Sequence, residues 1–211
     1  MRRLPVYFLL DTSGSMYGEP IQALNNALAA MINTLRQDPQ AMDSLWISII
    51  TFNREVTEIC PLTELAMFQL PEIACPQSGP THTGMALEML YHKVSSEIRK
   101  SSDTEKGDWK PLLFLFTDGK PSDIQLYNEY VLKVRSLDFG AVIACAAGNL
   151  ADDSKLKLLT NDVVHLDNAD SNTLKQFFKW VSDTIEQGNK SQGTGDTVAL
   201  PPPPSEITLV I

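Results

Sequence analysis

Four runs along the chain are almost free of polar residues: LPVYFLL (4–10), LWISIITF (45–52), PLLFLFT (111–117) and AVIACAA (141–147). Short unbroken apolar runs are what strands show when both faces of their sheet are covered, so these four are expected inside a parallel sheet. VTEIC (56–60) is more mixed and follows its predecessor after only Asn53-Arg54-Glu55. It reads as an antiparallel edge strand reached by a tight turn. DVVHL (162–166) reads as a short last strand. Between the runs the period changes. From Pro20, apolar residues fall at Ile21, Leu24, Leu28, Met31 and Leu35, one face of a helix. Proline suits a first helical position because its missing N–H has no partner there in any case. The same spacing recurs at Leu87, Leu90, Tyr91, Val94 and Ile98, at Tyr127, Tyr130, Val131, Val134 and Leu137, and at Leu174, Phe177, Phe178, Val181 and Ile185. Each stripe reads as core packing.

Strands alternating with helices predict an α/β fold: an open, doubly wound, mostly parallel sheet with one antiparallel edge strand and helices on both faces. In such sheets ligands bind beyond the carboxyl ends of the strands, at the switch point. Two segments depart from the rhythm. Residues 61–80 read as a long connection punctuated by Pro61, Pro71, Pro76 and Pro80, and connections of that length are often functional. After Gln187 the chain turns glycine-rich and then proline-rich, which divides it into a domain over 1–188 and a flexible tail over 189–211 with a polyproline II stretch. The final ITLVI is strongly β-prone and has two readings: a strand added to a sheet edge, or a disordered end.

Composition narrows the picture. At 211 residues and 43% hydrophobic, the chain can bury the core of one large domain. No stretch of 18 apolar residues exists, so no membrane span is expected. The start MRRLPV loosely resembles a secretory signal, but Pro5 interrupts the run and no small-residue cleavage site follows, so it reads as a core strand. A net charge of −9 disfavours nucleic acid and anionic membranes as partners. The three cysteines, Cys60, Cys75 and Cys145, are odd in number and lack CxxC spacing, which points to reduced thiols and a cytoplasmic location. Cys145, inside AVIACAAG, is expected to be a buried small residue.

The candidate chemistry lies in DTSGS (11–15), PTHTG (80–84) and FTDGKPS (116–122). Asp11, Ser13 and Ser15 are spaced i, i+2, i+4, which in extended chain aims three side chains one way. Thr81 and Thr83 repeat that spacing before a helix, and Asp118 ends a second central strand. Two carboxylates with three hydroxyls suit a hard divalent cation such as Mg2+, with Ca2+ or Mn2+ as alternatives. The hydroxyls add ligands without charge, so the ion would stay electrophilic toward an anionic group from a partner. Each piece also has a plain reading: Ser13 and Ser15 as turn or cap residues, Thr81 as a helix N-cap, Asp118-Gly119 as a turn.

A Mg-dependent phosphoryl-transfer enzyme using the same residues is the alternative, although Ser13 stands where a second aspartate would be expected. Other chemistries lack their signatures. There is no G-x-S-x-G elbow, no P-loop and no dinucleotide fingerprint. His82, His92 and His165 read as loop, helix-surface and structural residues, so no enzymatic role is expected. The polar cluster Ser95, Ser96, Ser101, Ser102 and Thr104 leaves open a role as a kinase substrate.

The triple set resembles the metal-ion-dependent adhesion site of von Willebrand factor type A domains, whose pattern is D-x-S-x-S, then a threonine, then an aspartate. The resemblance assigns Asp11, Ser13, Ser15, Thr81 and Asp118 as metal ligands over a domain of about residues 4–187. It implies a binding module that engages an acidic residue of a partner protein, with coupling to the C-terminal helix (173–187). A narrower likeness, carried by MRRLPV, SIITFN, QSGPTHTG, KGDWKPLLFLFTDGKPSD and FFKWVS, is to bacterial TerY-type proteins of the tellurite-resistance system. That likeness implies a cytoplasmic adaptor in a stress response, working beside a protein kinase and a PP2C-type phosphatase.

Overall fold

Every residue of the first apolar run is buried, because strands flank it on both edges and helices cover both of its faces. The computed structural model describes residues 2–102, 104–148, 152–190, 200–204 and 207–210. Strands β1 (Leu4–Asp11), β2 (Leu45–Phe52), β3 (Val56–Glu64), β4 (Leu112–Thr117), β5 (Ala141–Ala147), β6 (Asp162–Leu166) and β7 (Thr208–Val210) form one sheet in the order β3-β2-β1-β4-β5-β6-β7. Its five central strands are parallel, as their continuous apolar runs predict. Helices α1 (Glu19–Leu35), α2 (Pro39–Ser44), α3 (Thr83–Glu97), α4 (Ile124–Arg135), α5 (Asp153–Leu159) and α6 (Ser171–Lys190) lie on its two faces.

Alternation along β1 sorts the core into two layers. Val6, Phe8 and Leu10 pack with Leu24 and Leu28 of α1 and with Phe177, Phe178 and Ile185 of α6. Tyr7 and Leu9 pack with Leu87 and Leu90 of α3 and with Tyr127 and Val131 of α4. The helical stripes read from the sequence are therefore core faces. Cys145 is buried as expected, and Cys60, Cys75 and Cys145 are all free thiols.

Four local features differ from the sequence expectation. First, β3 continues past Cys60 through Pro61 to Glu64, so the long connection begins after Glu64. The strand sits at the sheet edge and its pairing with β2 shifts register twice, a setting in which a proline without an N–H is tolerated. The second and third are short helices that no stripe announces. In α2, Pro39 stands in the first turn and Asp38 accepts a bond from Gln40 N at 2.9 Å. In α5, Asp152 caps Lys155 N. Six or seven residues make too few turns for an apolar period to show.

The fourth difference is a second antiparallel edge, at the end of the chain, where a single one was expected. Of the two readings open for ITLVI, the strand is realised: β7 pairs antiparallel with β6, Val163 opposite Val210 and His165 opposite Thr208. The sheet thus has an antiparallel strand at each edge. The glycine-rich residues 191–199, expected to be flexible, lie outside the described residues. Among those described, no helix is long and apolar enough to cross a membrane.

Phe8 is fully buried and stacks on Phe114 across the β1–β4 pair, ring centroids 5.3 Å apart. Phe8→Ala is expected to lower the unfolding free energy by about 3–5 kcal/mol, the cost of a large core truncation. Urea unfolding followed by far-UV circular dichroism measures it, and a loss under 1 kcal/mol would contradict this packing.

Candidate metal centre

Chain direction reverses around β1 and β4. The chain leaves β1 for α1 on one face and leaves β4 for α4 on the other. The two carboxyl ends therefore border an open crevice, the switch point of an open α/β sheet. Asp11 is the last residue of β1, and Asp118 follows Thr117, the last residue of β4.

The structure brings the five candidate residues together. Asp11 is fully buried; its Oδ1 accepts the Ser13 N–H at 2.7 Å and its Oδ2 accepts the Thr117 hydroxyl at 2.5 Å. The Ser13 hydroxyl lies 3.2 Å from that of Ser15. Ser15 sits in a single 3-10 turn (Gly14–Met16), reaches solvent, and donates to Asp118 Oδ1 at 2.8 Å. Thr81 is buried, with its hydroxyl oxygen only 3.0 Å from where a Cβ on Gly119 would stand. Glycine after Asp118 is what lets that threonine approach. Of the plain readings, the capping ones are unused: Ser13 makes no side-chain cap bond, and the N-cap of α3 is His82. Thr83, two residues beyond Thr81, is also buried, and its hydroxyl has no hydrogen-bond partner.

Several positioning residues were not identified from the sequence. Asn53 donates to the Thr12 hydroxyl at 3.0 Å and accepts the His82 N–H on its backbone oxygen at 3.0 Å, tying the first motif to the second. Thr81 and Ser122 are linked twice: Thr81 N–H donates to Ser122 Oγ at 3.2 Å, and Ser122 N–H to the Thr81 carbonyl at 2.8 Å. Asp123 accepts the Gly84 N–H at 3.0 Å and the Met85 N–H at 2.8 Å, capping α3 from the start of α4. Only the last has a sequence signal, an acid just before an apolar-periodic segment, and that signal points to the wrong helix.

The connection after β3 is pinned beside the site. Asn25 of α1 exchanges two bonds of 2.9 Å with the Ile73 backbone, and the Cys75 thiol donates to the Ser13 carbonyl at 3.0 Å. Gly14 meets this connection so closely that an added Cβ would fall 2.6 Å from Ser78 Cα. The histidines sit as expected: His82 bonds the Arg54 carbonyl, His92 is exposed, and His165 pairs with Asp153 at 3.0 Å.

The electrostatics are lopsided. Among the described residues neither Asp11 nor Asp118 has an ion-pair partner. Burial pushes the Asp11 carboxyl up to about 6 against the hydroxyl and amide bonds that hold it down, and the charge of Asp118 adds to the rise. Burial also raises Asp118, and it raises Cys75, to about 11, with help from both acids. A crevice with two carboxylates, three hydroxyls and no counter-charge is chemically matched to an oxygen-ligated divalent cation. Among the described residues no cluster of three His, Cys, Asp or Glu exists elsewhere for a softer metal.

The family model of the von Willebrand factor type A domain matches residues 6–180. The chain belongs to this family. A comparison with curated proteins by sequence returns no match. Solved structures with the same fold include proximal thread matrix protein 1 from the mussel byssus, at 16% identity and a TM-score of 0.64, over 86% of this chain and 45% of that one. Another form of that protein carries zinc in its metal-ion-dependent adhesion site motif, at 18% identity and a TM-score of 0.58, over 86% of this chain and 48% of that one. An ArnB paralogue from Sulfolobus acidocaldarius aligns at 17% identity and a TM-score of 0.61, over 87% of this chain and 45% of that one. This von Willebrand type A chain thus spans about half the length of the first structures it matches, which are 45–48% covered. At such identities these likenesses show the fold. The open, mostly parallel sheet agrees with them.

The raised Asp11 carboxyl fixes a pH dependence. Its folded value of about 6 lies above the ordinary 3.8, so folding favours the protonated form. That stabilisation is complete below pH 3.8 and is lost as pH rises through about 6. Chelator-treated protein should lose roughly 3 kcal/mol over this window by urea unfolding, and Asp11→Asn should flatten the slope. An unchanged slope in Asp11→Asn would assign it to another group.

Proposed function

We propose that this chain is a metal-ion-dependent protein-binding module in which Asp11, Ser13, Ser15, Thr81 and Asp118 would hold a divalent cation that accepts an acidic side chain from a partner. The observation that carries this reading is the pair of uncompensated carboxylates beside three hydroxyls, buried on the Asp11 side and open to solvent at Ser15 and Asp118. A cation there supplies positive charge with an outward coordination position. The chain's own residues do the rest. Asp11, held by Thr117 and the Ser13 N–H, keeps a fixed charge at the floor. Ser15 and Asp118 are bonded only to groups of the site, so metal ligation can replace that bond without orphaning a distant partner. All-oxygen ligation favours Mg2+, with Ca2+ or Mn2+ as alternatives. The zinc in the byssus protein is a property of that protein.

The likeness to TerY-type proteins supports a finer reading: a cytoplasmic adaptor of a tellurite-resistance stress response, working with a protein kinase and a PP2C-type phosphatase. An enzymatic role is disfavoured. No histidine stands free beside the carboxylates, since His82 is engaged with Arg54, and the nearby Cys75 thiol, raised to about 11, is a poor nucleophile at neutral pH.

Asp11→Ala and Asp118→Ala should each weaken Mg2+ binding by at least about tenfold in titration calorimetry, the loss expected for a ligand worth more than about 1.4 kcal/mol. Thr81→Ala should keep the fold and release the partner. Capture of partners from cells in Mg2+ and in EDTA tests the second step: proteins retained only with metal, and lost in Asp11→Ala, identify the ligand. Unchanged Mg2+ affinity in Asp11→Ala would refute the site, and turnover of a phosphate ester abolished by Asp11→Asn would refute the non-enzymatic reading.

A further inference from the structure

At the far edge of the sheet, separated from β1 by β4, β5 and β6, the C-terminal segment is held by contacts of a recognisable chemical kind. A run of prolines has no backbone N–H and offers only carbonyl oxygens, so whatever recognises it must donate. On α6 the indole of Trp180, itself only 2% exposed, donates to the Pro201 carbonyl at 2.9 Å. Pro202 and Pro204 line a cleft of about 160 Å³ against Gln176, Lys179 and Asp183. Ile207 turns back with its N–H on the Pro204 carbonyl at 3.0 Å and is buried in the α1–α6 core layer. Thr208, Leu209 and Val210 then pair with β6. A donor-bearing aromatic for a polyproline backbone and a strand edge for the strand that follows are two means by which proteins bind extended peptides.

We propose that the β6 edge and the Trp180 side of α6 form a second binding site, specific for an extended segment of prolines followed by a β-branched strand, and that the C-terminal segment of a second copy of this chain fills it when a copy's own segment has left. Among the described residues of the resident segment only Ile207 is buried. Its ladder has three residue pairs, and Leu209 is 39% exposed. Segments with few buried anchors open at lower free energy than the core. The opened β6 edge is a template for another strand, and each copy carries the one sequence whose fit is displayed in this structure.

The test uses the full chain and a fluorescent peptide of residues 199–211. Leu209→Pro puts a proline ring at the middle of the three-residue pairing with β6, where a strand does not accept it, and so frees the site. The variant should bind the peptide at least about tenfold more tightly than wild type, whose own segment competes at an effective concentration on the order of millimolar. Adding Trp180→Phe to this variant should weaken binding. Equal affinity in wild type and Leu209→Pro would overturn the proposal. Wild type supplies an independent measure: amides of 208–210 should exchange with solvent at least about a hundredfold faster than those of β1. Protection equal to that of β1 would also overturn it. In sedimentation, wild type should form a concentration-dependent dimer that excess peptide dissolves, and a monomer at every concentration would exclude the second copy as occupant.

Discussion

Two carboxylates with no ion-pair partner among the described residues, set at the ends of neighbouring central strands, are the constraint around which this molecule is arranged. A buried anion is expensive unless something compensates it. Asp11 is compensated by the Ser13 amide and by the Thr117 and Ser13 hydroxyls, without a cation, and Asp118 stands close enough to raise it further. The strand that carries Asp11 cannot retreat toward water, because its apolar residues anchor both core layers. The packing that stabilises the domain is therefore what holds the charge in an unfavourable place. A divalent cation would turn that repulsion into attraction, and the outward-facing Ser15 and Asp118 leave a way in.

The sheet topology supplies the crevice, and the segments around it supply its geometry. The five candidate ligands come from three segments far apart along the chain. They meet because β1 and β4 are hydrogen-bonded neighbours and because the connection entering α3 is bonded to the segments following β2 and β4, through Asn53 and Ser122. Small residues make the approach possible. Gly119 admits the Thr81 hydroxyl, and Gly14 admits the backbone at Ser78. The family resemblance and the physical reading rest on the same residues, but the physics adds the reason for residue size as well as residue charge.

Much of this was legible in the sequence. The central strands were readable because burial on both faces removes all polar positions, and the long helices because several turns display a period. The oxygen-bearing motifs were readable because each is local, two of them at a strand's end and one at a helix start. What escaped was either too short or too distant. Helices α2 and α5 are too short to show a stripe. The passage of β3 through Pro61 depends on its place at the sheet edge, which composition does not reveal. Thr117, Ser122, Asn53 and Asp123 act on groups remote in the chain, and no spacing rule connects them to what they hold. ITLVI announced a strand, but its partner β6 became known only once the sheet was assembled.

One of those unannounced contacts governs how the crevice can move. The Asp123 carboxylate holds the first amides of α3 while Asp123 itself begins α4, and Ser122 is bonded to Thr81 in both directions. The segment that holds Thr81 and the segment that leads from Asp118 into α4 are therefore fastened together. A shift of the α3 start, with Thr81 just ahead of it, would have to break these four bonds or carry the start of α4 along.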